Sequence, residues 1–386
     1  MRALTRPGPT VVQVSTVGPG GQPMLSVICK QTYDVLSDGR LIPAPESLPL
    51  VVDPEPDAAN PRRLHRDSDC YAFKPFTDVV VRGHAYGAGQ RAFVAALQVG
   101  AARQEMLVLG DRRVALGPTG RLVISEPSPV ERMPLRYDRA YGGIDQVAHE
   151  RAPGPEAALA RYLGAAVDEA FSSPFAYPRN FAGVGYLIEP TAAAVDRLVM
   201  PNLEDPLDRL TPDRLAVGAP GCWPLMPLPR AFDWTDPGTF PRMAYMGIVH
   251  DHDPLSGPVA EVTRGWAPAD VMVSKPIAEK VCDRWANGAS LGLQLPHLRG
   301  GDEVTMNAVH PRQPVWRFRL PRARPDMRTD GRNGKLTATE PVIHTLDVEP
   351  DLSRASLVWR GWAPALRLYA AEELAQMPLY VGWPSA

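Results

Sequence analysis

FKPFTDVVVRGHAYG, at residues 73–87, sets three consecutive valines between Asp78 and Arg82. Read at a period of two, Val79 and Val81 fall on one face and Val80 on the other, so residues 78–86 are expected to form one strand. Strand signals continue on both sides. Residues 10–36 alternate at Val12, Val14 and Thr16 and again at Ser26, Ile28 and Lys30, around a Gly-Pro-Gly-Gly turn. Asp38-Gly39 then marks a hairpin. Three further strand-like runs fill residues 91–124. In 315–321, Val315, Arg317 and Arg319 alternate with Trp316, Phe318 and Leu320, the pattern of a half-exposed antiparallel strand with one apolar and one basic face. Residues 342–362 read as a hairpin around Pro350-Asp351.

Helical periodicity is confined to shorter stretches. Residues 155–171 show apolar positions at spacings of three and four, and a second helix starts near Pro276. Residues 190–199 form a short candidate helix weakened by Thr191 and Val195, and 370–377 a last one ended by Pro378. Proline supplies 43 of 386 residues, about twice the usual ~5%, which excludes a helical bundle and favours short strands with fixed turns. The expected class is α+β, predominantly antiparallel β in sandwich-like sheets, with a few helices in the middle and at the C-terminus. Residues 1–150 make a β-rich N-terminal lobe and 151–290 a mixed helical and loop region. Residues 291–386 make a β-rich C-terminal region with a terminal helix, and the three pack as one compact unit.

A formal charge of −2 argues against general nucleic-acid binding. Without an apolar leader or a long apolar run, the chain reads as soluble and cytoplasmic, with no membrane partner. Cys29, Cys70, Cys222 and Cys282 stand far apart and read as reduced thiols. His250 and His252 share a face if extended, with Asp253 or His310 as the third ligand, so a metal-dependent hydrolase is the low-ranked alternative. Glu204 and Asp205, between Pro201 and Pro206, read as turn or arginine-pairing carboxylates rather than an acid pair. No Ser-His-Asp signature or phosphate loop is present, and no catalytic residue, cofactor or metal is expected. Arg317, Arg319, Trp223, Trp266 and Trp362 are the candidate partner anchors.

Several segments together resemble the domain-of-unknown-function family 2169 (DUF2169). They are TYDVLSDGRL (32–41), FKPFTDVVVRGHAY (73–86), GDRRV (110–114), MPLRYDRAYGG (133–143) and PNLEDP (201–206). RGGDEVTMNAVHP (299–311), WRFRLP (316–321) and TLDVEPDLSRASLVWRG (345–361) complete the set. The resemblance implies a non-enzymatic type VI secretion adaptor or chaperone in the bacterial cytoplasm. It would hold a PAAR-like spike-tip protein or a toxin effector for loading onto the VgrG spike; a structural component that stays on the spike is the alternative. On this resemblance Asp78, His84, Tyr86, Arg136, Tyr137, Arg139, Gly142 and Gly143 are scaffold residues. Asp78 is expected to pair with Arg136 or Arg139 and so lock two β layers.

Overall fold

The computed structural model describes residues 9–18, 22–71, 73–151, 175–239, 242, 286–331 and 334–383. The helices expected at 155–171 and from Pro276 lie outside the described residues, as do His250, His252, Trp266 and Cys282. What is described is α+β and β-rich, with mainly antiparallel sheets and few helices. Among the described residues no helix is long and apolar enough to cross a membrane.

A seven-stranded sheet runs in the order Thr10–Val17, Pro23–Val35, Arg354–Pro364, Val342–Glu349, Thr77–Val81, Gln294–Leu295. Leu41–Pro43 is added to the side of Pro23–Val35. All three expected hairpins are there: Thr10 faces Lys30 across the first, Glu349 faces Arg354 across the second, and Val35 faces Leu41 across a third at Asp38-Gly39. The three valines belong to Thr77–Val81, which is buried at every position. It pairs in parallel with Val342–Glu349, and both faces of the pair are covered, which explains valine on both faces.

The expected single strand over 78–86 is two strands. After Arg82 donates its backbone N–H to Val348 O, the chain turns at Gly83, where a Cβ would lie 3.1 Å from Pro350 Cδ. His84–Gln90 then leaves the sheet and pairs with Val130–Pro134. The break is set by the hairpin turn lying against Gly83, a contact more than 260 residues away in sequence.

A five-stranded sheet in the order Leu203–Glu204, Ala102–Leu109, Ala92–Val99, Glu303–Asn307, Val315–Arg319 packs against the first. One apolar core holds side chains of both, including Val79, Leu346 and Trp359 from one and Leu97, Met106, Trp316 and Phe318 from the other. The basic strand behaves as its alternation demands: Trp316 and Phe318 are buried while Val315, Arg317 and Arg319 are exposed.

A second apolar cluster gathers around Tyr141, Tyr177 and Tyr186, whose ring centroids lie 5.0–6.4 Å apart. The short helix Ala192–Asp196 packs there. Thr191 precedes this helix and caps it, its hydroxyl accepting Ala194 N–H at 3.2 Å, so it starts the helix rather than weakening it. The C-terminal helix is one turn, Ala371–Leu374, with the Glu373 carboxylate accepting Ala370 N–H.

Candidate functional site

His84 and Tyr86 sit two residues apart on one strand, so their side chains leave on the same face. Both reach the Asp351 carboxylate at the tip of the second hairpin. His84 Nδ1 lies 2.6 Å from Oδ2 and Tyr86 donates to Oδ1 at 2.8 Å. Arg132, on the adjoining strand, approaches Oδ2 at 3.1 Å. Burial alone raises the Asp351 pKa, but the hydrogen bonds from His84, Tyr86 and Arg132 outweigh it and hold the carboxyl below its ordinary value. Burial, then the bond to Asp351, pushes the Tyr86 phenol up to about 12.

The second sheet joins the same place. His310 stacks on Trp316 with centroids 5.1 Å apart, and its Nε2 lies 3.1 Å from Ser353 Oγ. With Asp351 nearby in sequence this invites a Ser-His-Asp reading, which the hydrogen bonding refuses. His310 Nδ1 accepts the backbone N–H groups of Arg312 and Gln313, at 3.2 and 3.1 Å. The proton of the neutral ring therefore sits on Nε2 and is donated to Ser353. A general base needs the opposite tautomer. Burial, reinforced by Arg312, lowers the His310 pKa, so the ring stays neutral at pH 7. Ser353 and Ala308 are left-handed, at φ 50° and 58°, a strain of about 1–2 kcal/mol each. Ala308 O accepts Tyr86 N–H and Ser353 O accepts Val35 N–H, so each strained residue ties strands together.

The linkage of Asp351 to pH has a definite sign. A carboxyl whose folded pKa is depressed contributes stability above its unfolded pKa near ~4, and that contribution vanishes as pH falls through the folded value. Asp351→Asn is expected to cost about 1–2 kcal/mol at pH 7 and distinctly less at pH 3. Urea denaturation at both pH values measures this; an equal loss at both contradicts the assignment.

Asp78 does not meet Arg136 or Arg139. Its partner is Lys74, at 2.8 Å, with both side chains fully buried. Asn287 Nδ2 and the backbone N–H groups of Gly288 and Ala289 donate to the same carboxylate. Lys74 also lies 3.3 Å from Thr345 Oγ1 and 5.5 Å from the ring centres of Tyr71 and Trp234. Arg136 pairs instead with Asp138, two residues on, because the short turn Tyr137–Arg139 folds that carboxylate back to it. Arg139 contributes its carbonyl, which accepts Asn202 N–H, and Tyr137 is buried with its phenol pushed up to about 12 by burial. Gly142 and Gly143 carry the loop 180–183: a Cβ on Gly142 would lie 2.2 Å from Asn180 O, and Gly143 has φ 87°. Asn180 completes that junction by donating to Tyr137 O and Tyr141 O.

Glu204 and Asp205 each meet an arginine, Arg112 at 2.6 Å and Arg230 at 2.5 Å. Trp223 is half-buried, edge-on to Tyr177 and under the Arg179 guanidinium. Trp362 is 41% exposed on Arg354–Pro364. Cys29, Cys70 and Cys222 are free thiols. Among the described residues no three His, Cys, Asp or Glu side chains are grouped as for a metal.

Arg132 and Lys74 have no individual role in the sequence reading, while Asp351 enters it only as a turn residue and His310 only as a third ligand for a metal at His250 and His252. The signal available was the i, i+2 spacing of His84 and Tyr86, which requires a common partner for that face.

A family model described as an uncharacterized protein conserved in bacteria (DUF2169) matches residues 20–360. No curated protein and no solved structure matches the chain.

Proposed function

The chain belongs to the DUF2169 family, and from that premise we propose that it is a non-enzymatic adaptor or chaperone of bacterial type VI secretion. It holds a PAAR-like spike-tip protein or a toxin effector in the cytoplasm until the cargo is loaded onto the VgrG spike. One observation carries the reading. The reactive-looking side chains in and beside the motif segments are spent on one another: His84, Tyr86 and Arg132 on Asp351, Lys74 on Asp78, and His310 as a donor to Ser353. Such groups brace a rigid frame, and a rigid frame lowers the ordering cost of binding a large partner. Arg317, Arg319 and Trp362 are exposed on that frame, with arginine and tryptophan the side chains that most often anchor interfaces.

Co-expression with each product of the neighbouring genes, followed by pull-down and size exclusion, tests this. One stable complex with a PAAR-like or toxin protein that is insoluble alone is the expected result. Failure of every neighbour to co-elute overturns the reading.

A further inference from the structure

Two strand edges face each other across one groove. Val315–Arg319 is the last strand of its sheet, and Leu41–Pro43 pairs only with Pro23–Val35 among the described residues. The register shows which backbone groups are left over. Ala308 N–H donates to Pro314 O and Leu320 N–H to Asp302 O, so Trp316 and Phe318 turn their backbone groups toward Glu303–Asn307. Those of Arg317 and Arg319 therefore point out of the sheet. By the same alternation, the bonds Leu36 N–H to Arg40 O and Ala44 N–H to Thr32 O leave the N–H and C=O of Leu41 facing outward.

The hairpin tip closes one end of the groove. Gly39, at φ 82°, comes so near that a Cβ there would lie 2.7 Å from Arg317 O. What stays open is a groove of about 460 Å³ lined by Arg40, Leu41, Ile42, Glu303 and Arg317 to Arg319. That volume is in the range of ~300–1,000 Å³ typical of ligand sites. Ile42 is 42% exposed on its wall. The charges do not cancel: Arg40 holds Asp38 at 2.6 Å and Arg319 holds Glu303 at 2.7 Å, while Arg317 has no ion pair among the described residues.

We propose that this groove docks an extended, acidic segment of a partner protein. The segment pairs its backbone with Leu41 and Arg319, lays an apolar side chain on Ile42 and sets a carboxylate against Arg317. Alternation along a strand puts side chains of unlike character on opposite sides, so one peptide meets both demands. The proposal deepens the adaptor reading by naming its docking surface, but its test does not need the natural cargo.

A random-peptide display library is selected against the full chain, and enriched peptides are titrated calorimetrically. The expected winners alternate apolar residues with Asp or Glu and protect the Leu41 and Arg319 amides from hydrogen exchange. They also bind Arg317→Glu at least about tenfold more weakly, while N-methylation of their paired amides removes binding to the native chain. Arg317 is exposed, so the variant is expected to fold, and its circular dichroism checks this. No enrichment, or enriched peptides indifferent to Arg317→Glu, overturns the proposal. The two readings separate cleanly. Peptide binding without any co-eluting neighbour sinks the adaptor and keeps the groove. A neighbour complex unaffected by Arg317→Glu keeps the adaptor and sinks the groove.

Discussion

Asp78→Asn is expected to lower unfolding stability by about 3–5 kcal/mol, the usual loss when one member of a buried ion pair is removed. Asparagine nearly preserves the shape, so the effect is electrostatic. Lys74 keeps its charge with no accessible surface and loses its only carboxylate among the described residues. The rings of Tyr71 and Trp234, 5.5 Å away, recover only part of this. The new amide NH2 also faces N–H donors, since Asn287, Gly288 and Ala289 all point at the old carboxylate. Arg136→Ala provides the contrast: its pair with Asp138 is local and partly exposed, and is worth about 0–1 kcal/mol. Guanidinium denaturation of both variants tests the argument. Equal losses would mean that stranding the buried Lys74 charge costs no more than breaking a partly exposed pair, and would overturn the argument.

The Lys74–Asp78 pair shows where local reading stops. Hairpins are legible because their signals are local. Thr10–Val17 pairs with Pro23–Val35, which flank the Gly-Pro-Gly-Gly sequence, and Pro350-Asp351 joins Val342–Glu349 to Arg354–Pro364. The basic strand is legible because period-two burial on one face is also local. The long-range contacts are not. Asp351 reads as a turn residue, and it is one, yet its carboxylate is the hub for three side chains some 220–270 residues earlier. In the same way FKPFTDV reads as a strand with a charged start. Only the folded chain brings residues 287–289 onto Asp78. Spacing along the chain carries no record of which distant arginine or lysine a buried carboxylate will meet, so the partner of Asp78 is Lys74 and not the expected Arg136 or Arg139.

Glu204 extends the same logic to a pair that reads from sequence as two adjacent acids. The structure makes them unequal. Glu204 is buried, accepts Arg112 at 2.6 Å and Leu210 N–H at 3.2 Å, and lies on the short strand that closes the five-stranded sheet. Asp205 holds Arg230 nearer the surface. Glu204→Gln retains a hydrogen-bonding group but strands the buried Arg112 guanidinium, and is expected to cost about 3–5 kcal/mol. Asp205→Asn is expected to cost about 1 kcal/mol or less. The double variant Arg112→Met/Glu204→Leu removes both charges, and should be markedly more stable than Glu204→Gln, because a buried ion pair replaced by apolar groups loses little. Its residual deficit comes from the Leu210 N–H and the Pro201 carbonyl, which lose these partners. If the double variant is as unstable as Glu204→Gln, removing both charges recovers nothing, and the stranded Arg112 charge is not what makes Glu204→Gln unstable.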